Sequence, residues 1–367
     1  MTCDFLSIAV PGARNLQPYQ PGKPIEELER ELGISNVVKL ASNENPLGPS
    51  PRALRALQGS LGELHRYPDG SGFELKRALA RRLRLDPAQI TLGNGSNDVL
   101  ELLARAFLRP GDEVVFSEHA FAVYALVTQA AGGSAMVVPA RDYGSDPDAM
   151  RMAVTAASRM IFIANPNNPT GTWLPRDALH AFLRAIPAEV IVVLDEAYFE
   201  YVSEPEYPDG IEWLSKFPNL VVTRTFAKIF GLAGLRVGYG VSNPQIADIL
   251  NRIRQPFNVN TLAMVAAVAA LDDDEHVRAS VELNRRGMQQ LRDGFERLGL
   301  RYIPSAANFI SVEVGDAARI YDALLRKGVI VRPIANYGLP RHLRVTVGLE
   351  AENARFLDAL ESVISAR

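Results

Sequence analysis

The stretch Arg224-Thr-Phe-Ala-Lys228-Ile-Phe-Gly-Leu-Ala-Gly-Leu-Arg236 decides how this chain reads. Lys228 lies in an apolar run rich in Gly and Ala. Such surroundings strip water from the amine and favour its neutral, nucleophilic form. Arg236 follows eight residues later as a fixed cation. A neutral amine near a guanidinium suits a Schiff base with an aldehyde that also carries a phosphate. Most lysines are solvated surface charges, so the reading depends on what accompanies the stretch.

Three upstream motifs accompany it. Gly93-Asn-Gly-Ser-Asn-Asp98 lies between a short apolar run, Ile90–Leu92, and a helical pattern. The glycines permit a tight turn, and the helix N-terminus beyond offers free N–H groups to a phosphate. Ser96 and Asn97 are placed to donate. Asp98 stands where a dinucleotide fingerprint needs its third glycine, so that site is rejected; a plain helix cap reads equally well. Asn165-Pro-Asn-Asn-Pro-Thr-Gly171 is built of turn formers. Its two prolines hold the backbone around Asn168 and make that amide a rigid donor. Asp195 ends the β-branched run Val190–Leu194, and Tyr198 follows three residues later. Ligands of open α/β sheets bind beyond the carboxyl ends of strands. An aspartate there can pair with a protonated pyridine nitrogen, or simply cap a helix, and Tyr198 could reach a phenolic oxygen on the same ring. The aldehyde that unites phosphate, pyridine and phenol is pyridoxal 5'-phosphate (PLP).

Bulk properties bound the rest. At 367 residues the chain exceeds the ~250–300 at which single cores stop growing, so two domains are expected. A net charge of −3 with no basic block argues against nucleic acid. The one cysteine, Cys3, excludes an internal disulfide framework and fits a reducing cytoplasm. The first residues lack the basic start and long apolar core of a signal peptide. No apolar run approaches the ~20 residues of a membrane span. The five histidines (65, 119, 180, 276, 342) lack metal-ligand spacing, so no metal is expected.

Along the chain, residues 1–35 are rich in Pro and Gly with one helical piece near Ile25–Leu32, as in an arm docked on a larger body. Helical patterns over Phe73–Leu85, Asn97–Leu108, Tyr124–Ala131, Pro147–Ala156 and Arg176–Ile186 then alternate with strands. The expected strands are Glu113–Ser117, Met136–Val138, Arg159–Ala164, Val190–Leu194, Leu220–Thr225 and Val237–Val241. The alternation implies an α/β fold, a mostly parallel, mixed sheet between helices. A helix at Pro244–Ile253 leads out. The run Asp272–Glu275 reads as a solvated loop and helix start, before a long helix to about Leu298. Strands Phe309–Val314, Val329–Pro333 and His342–Val347, with helices Ala317–Lys327 and one from Ala351, form a smaller α+β C-terminal domain. The division expected is an arm over 1–45, a large domain over 46–255 and a small domain over 256–367.

Taken in order, the glycine turn, the Asn-Pro-Thr-Gly loop, the strand-end Asp with its Tyr, and the Lys with its Arg resemble the fold-type I PLP-dependent aminotransferases of the aspartate aminotransferase superfamily. The resemblance runs from about residue 15 to the C-terminus. It is closer to the branch that exchanges an amino group between histidinol phosphate and 2-oxoglutarate, or between glutamate and imidazole-acetol phosphate in biosynthesis. That likeness rests on Pro18–Pro24, Lys39–Pro51, Arg66–Gly70 and Leu343–Gly348.

The resemblance implies that Lys228 carries the Schiff base, with Asp195 on the pyridine nitrogen and Asn168 and Tyr198 on the phenolic oxygen. Ser96, Asn97, Thr225 and Arg236 would hold the cofactor phosphate. Phe121 would stack on the ring, with Tyr124 as competitor. Tyr67 would reach the neighbouring subunit's cofactor, which implies a homodimer with shared active sites. Arg344 would grip the amino acid's carboxylate, and Arg332 would join it on the substrate phosphate, with Tyr19 and Asn45 closing the pocket. An aromatic-amino-acid aminotransferase or a PLP-dependent threonine-phosphate decarboxylase would keep the same core residues. A PLP-binding regulator without turnover would need a DNA-binding segment, and residues 1–45 hold neither a helix-turn-helix nor a basic patch. One departure stands out: the family carries a hydroxyl residue just before the Schiff-base lysine, and this chain has Ala227.

Overall fold

Five β-branched or apolar residues in a row, Val190–Leu194, can be satisfied only by a strand covered on both faces. In the computed structural model, which describes residues 3–365, the strand Ile191–Asp195 is buried throughout and central in a seven-stranded sheet. The strand order is 90–93, 238–242, 220–225, 191–195, 158–164, 113–117, 134–138. The last five run parallel, whereas 238–242 is antiparallel to both its neighbours. The sheet is therefore mixed, and most of its carboxyl ends share one edge. Helices cover both faces, and one apolar cluster lies on each.

A four-stranded sheet of 332–333, 342–346, 309–313 and 302–303 forms the second centre, with its own core around Leu291, Phe295 and Phe356. Phe295 and Phe356 meet edge to face at 6.2 Å. The helix Asp274–Arg297 packs along this unit, and its N-cap Asp273 accepts from the His276 N–H.

Several boundaries differ from the sequence pattern for physical reasons. The run 329–333 is not one strand. Val329–Ile330 pairs in parallel with Val38–Lys39, while Arg332–Pro333 pairs antiparallel with Leu343–Arg344. This junction ties the N-terminal segment to the C-terminal unit. The helix Thr261–Leu271 was not anticipated because it is apolar on every side, and so shows no amphipathic stripe. It packs on the helix Pro51–Ser60, whose cap Ser50 accepts from the Ala53 N–H at 3.1 Å. The acidic run 272–275 is a mostly exposed turn and helix start, as its sequence suggests, and it also carries two surface ion pairs. Asp272 and Asp274 pair with Arg81 and Arg82 at 3.2 and 2.6 Å. No described helix is long and apolar enough to cross a membrane.

Candidate active site

At the carboxyl edge of the large sheet, three strand ends and the C-terminal unit enclose a cleft of about 290 Å³. Lys228, Asp195, Tyr198, Asn168, Phe121, Ser96, Asn97, Thr225, Arg236, Arg332, Arg344 and Tyr19 all line it. These residues span more than three hundred positions of sequence, from 19 to 344, and only the topology brings them together. A larger cavity of about 780 Å³ lies elsewhere, between the helix 274–297 and residues 348–357. It is rimmed by exposed arginines already paired with glutamates, such as Arg285 with Glu282 at 2.8 Å and Arg297 with Glu361 at 2.7 Å. Chemistry is assigned to the smaller cleft, because only there do a desolvated amine, a buried carboxylate and unpaired cations meet.

Lys228 follows the end of strand 220–225, and its Nζ donates to the Ser42 carbonyl at 3.3 Å. Burial, then the nearby Arg344 guanidinium, pull the amine down to about 8. The residue keeps some contact with solvent through the cleft, but dense protein around the amine dominates its behaviour. Near neutral pH a usable fraction is therefore unprotonated and nucleophilic.

Asp195 ends strand 191–195 and is buried, which raises its carboxyl above the usual range. Tyr124 donates to its Oδ2 at 2.9 Å and Thr223 to its Oδ1 at 3.0 Å, both opposing that rise. A cation set against Asp195 from the cleft would restore the charged form, as a protonated ring nitrogen does.

The turn at 93–98 makes an anion cradle. The helix Ser96–Phe107 begins after Gly95, whose φ is +83°. A Cβ on Gly95 would stand 2.6 Å from Arg236 Nη2, so glycine lets that guanidinium lie against the turn. A Cβ on Gly238 would meet the Ser96 nitrogen at 2.4 Å. Asp98 accepts from the Asn94 N–H at 2.9 Å and holds the loop shut. Thr225 Oγ1 already accepts from the Ala227 N–H at 3.0 Å and faces the Val237 carbonyl at 3.4 Å.

On the opposite wall Arg344 is buried. It donates to Asn168 Oδ1 at 2.5 Å and to the Ala41 carbonyl at 2.7 Å, while its Nε has no partner. Arg332 donates to the Gln20 carbonyl at 2.5 Å and lies 5.9 Å from the Tyr19 ring. Among the described residues, Arg236, Arg332 and Arg344 have no carboxylate partner within 4.0 Å. A buried guanidinium without a counter-ion is costly, so the cleft is prepared for an anionic ligand.

Four placements refine the sequence reading. Asn45 does not line the cleft; its amide donates to the Ile229 carbonyl at 2.7 Å and to Ser280 Oγ at 2.9 Å, turned into the protein. Asn43, two residues earlier, faces the cleft instead. Of the two candidate aromatics, Phe121 lines the cleft, whereas Tyr124 is buried beneath Asp195 and stacked on Phe162 at 4.6 Å. Tyr67 is 83% exposed, stacked on Phe257 at 4.9 Å, and lies outside this chain's own cleft. Sequence reasoning missed Asn43 and Thr223 as partners of the site, and offered Tyr124 as a ring-stacking residue where its hydroxyl instead donates to Asp195. Thr223 sits opposite Asp195 in the strand register, a pairing that spacing along the chain does not reveal.

The fold and the cleft define an α/β transferase site built around a lysine. The chain belongs to the aminotransferase class I and II family, whose pattern matches residues 35–360. It is 60% identical, over the whole of both chains, to histidinol-phosphate aminotransferase 2 of Pseudomonas fluorescens. Histidinol-phosphate aminotransferase 2 of Pseudomonas aeruginosa is also 60% identical, with 99% of each chain covered. Histidinol-phosphate aminotransferase from Sinorhizobium meliloti, solved in complex with pyridoxal-5'-phosphate, superposes with a TM-score of 0.90 at 32% identity and 98% coverage of each chain. The residues present fit that cofactor: a desolvated amine, a crowded glycine turn beside an unpaired guanidinium, and a buried carboxylate that needs a cation.

Proposed function

We propose that this chain is a PLP-dependent aminotransferase that moves an amino group between histidinol phosphate and 2-oxoglutarate, and that forms histidinol phosphate from imidazole-acetol phosphate and glutamate in histidine biosynthesis. The observation that carries the reading is the convergence of three unpaired arginines and a desolvated lysine on one cleft. Two of the arginines, Arg332 and Arg344, lie apart from the phosphate cradle. One pocket must take a carboxylate in one half-reaction and a phosphate in the other. Arginine suits both, because its planar fork pairs with either group in two-point fashion.

PLP, when bound, supplies an aldehyde for the amino group and a protonated ring that stores the negative charge released at the substrate's Cα. Everything else falls to the protein. Ser96, Asn97, Thr225 and Arg236 would hold the phosphate, Phe121 one face of the ring, Asp195 its nitrogen, and Asn168 and Tyr198 its phenolic oxygen. Once displaced by the substrate amine, Lys228 Nζ would take the Cα proton as base and, as acid, give it to the carbon on the far side of the amino nitrogen. Arg344, Arg332 and Tyr19 would orient the substrate and help exclude water.

A homodimer is part of the proposal. Leu61, Leu64, Tyr67 and Phe73 leave large apolar surfaces exposed on one stretch of the chain, and Phe257 joins them by stacking on Tyr67, as at a subunit contact. Tyr67 would reach the neighbouring cofactor from there. The two separate cores support a division into a large and a small domain, but the helix Thr261–Leu271 packs into the first core, so the boundary belongs after that helix and not at 255/256. A cytoplasmic setting suits the biosynthetic role.

Ala227 has a specific consequence. The Thr225 hydroxyl accepts from the Ala227 N–H at 3.0 Å and directs its one proton to the Val237 carbonyl at 3.4 Å, and position 227 carries no hydroxyl of its own. Ala227→Ser is expected to tighten PLP binding by about 1–2 kcal/mol, one charge-assisted hydrogen bond. Equilibrium titration of the apoprotein with PLP reads this directly, and equal dissociation constants would refute it.

The function itself is tested with the visible spectrum of PLP-loaded protein and no keto acid. Adding L-histidinol phosphate should bleach the yellow band within a single turnover. A band that ignores histidinol phosphate but bleaches with phenylalanine would move the substrate to aromatic amino acids. Carbon dioxide release from threonine phosphate would move the reaction to decarboxylation.

A further inference from the structure

We infer that Asn43 and Thr346 are positioning residues that force the Tyr198 hydroxyl to act as a hydrogen-bond donor into the cleft. The inference rests on the cofactor reading proposed above. It follows from counting protons on a buried chain of groups. The Asn43 backbone N–H donates to Thr346 Oγ1 at 2.9 Å. The Thr346 hydroxyl has one proton to give, and its acceptor among the described residues is Asn43 Oδ1 at 3.2 Å. An oxygen identified in this way fixes which end of the Asn43 amide is which. Its Nδ2 therefore faces Tyr198, and donates to the phenol oxygen at 2.8 Å. Tyr198 keeps one proton, and no described residue accepts it. Tyr198 lines the cleft, so the cleft is where that proton is available.

Each link runs in one direction, and each is buried: Asn43 is 1% exposed, Thr346 4% and Tyr198 3%. The bend that brings Asn43 back on itself is its φ of +56°, a conformation asparagine tolerates better than most residues. Asn308 Nδ2 holds the bend by donating to the Asn43 carbonyl at 3.0 Å. The device joins three parts of the chain. Asn43 comes from the N-terminal segment, Thr346 from the strand that also carries Arg344, and Tyr198 from the loop after Asp195. A tyrosine constrained to donate recognises an anionic oxygen, such as a phenolate, and rejects a donor in the same place.

The test uses the PLP-loaded enzyme and follows the pH titration of its visible band, with no turnover. Donation to the ring's phenolate oxygen makes that oxygen less able to hold the neighbouring imine proton, so losing the donor raises the band's pKa. Asn43→Asp keeps the size and the tolerated backbone, but offers Tyr198 a carboxylate oxygen that captures its proton. Thr346→Val keeps the shape of the side chain and releases the amide to rotate. Both should raise the band's pKa toward that of Tyr198→Phe, by about one pH unit, the scale of one hydrogen bond. Thr346→Ser, which keeps the hydroxyl, should titrate like the parent. Thermal midpoints of the four variants confirm that each is folded. If Tyr198→Phe shifts the band while Asn43→Asp and Thr346→Val do not, the inference is overturned. If Tyr198→Phe itself leaves the band unmoved, the placement of the ring in this cleft fails, and with it the reading on which the inference rests.

Discussion

Replacing Lys228 by alanine is expected to abolish transamination, lowering kcat by at least about 10⁴-fold, because the amine is proposed to serve as both nucleophile and proton carrier. No other amine lines the cleft. Single-turnover kinetics with histidinol phosphate measure this, and turnover within tenfold of the parent would defeat the assignment of Lys228. The same variant carries an internal control against misfolding. The unfolded lysine holds its proton to near pH 10.4, whereas in the fold it titrates at about 8. Between those values the unfolded chain binds more protons, so the parent apoprotein gains stability as pH rises through that window, and it bears the full cost below pH 8. That cost is roughly 3 kcal/mol at most. Lys228→Ala removes it. Without cofactor the variant should melt above the parent at pH 7, and the difference should shrink towards pH 10. An inactive variant that melts well below the parent at pH 7 would point to a structural role instead.

Replacing Arg344 by alanine should have the second largest effect. Its guanidinium is buried, has no carboxylate partner among the described residues, and keeps an unbonded Nε. Burial first, and then the Arg332 charge, pull it below its ordinary range, so an incoming anion would gain from a cation already stripped of water. Losing such a charge pair costs about 2–5 kcal/mol, or roughly 30- to 4,000-fold in kcat/KM. The loss should fall on histidinol phosphate and on 2-oxoglutarate alike, since both half-reactions use the same pocket. Arg344→Lys should recover only part of it, because an ammonium cannot keep the bonds to Asn168 and Ala41 while gripping a substrate in two-point fashion. A loss confined to one substrate would show that the two are gripped by different residues.

Much of this was legible along the chain, for reasons that are local. Val190–Leu194 could only be a doubly covered strand, and the residue after it had to emerge at the carboxyl edge. That is where Asp195 lies. The glycine turn announced a helix start, and Ser96 opens that helix. Failures came where the signal was not local. The all-apolar helix 261–271 has no period to read. Val329–Pro333 looked like one strand because its composition is uniform, yet its halves serve different sheets. Asn43 and Asn45 are indistinguishable as residues in Asn43-Glu-Asn45. Only packing turns the first to Tyr198 and the second to Ser280.

The sequence by itself determined the class of fold, singled out Lys228 as the candidate reactive amine and set the order of the motifs around it. Each of those depends on periodicity or on the intrinsic chemistry of a short run. The tertiary structure decided which groups meet. It set Thr223 and Tyr124 under Asp195, left Arg344 without a counter-ion, and aimed the Tyr198 proton through Asn43 and Thr346. Those facts depend on strand register and on contacts hundreds of residues apart, where a hydrogen bond of about 3 Å has no counterpart in spacing along the chain.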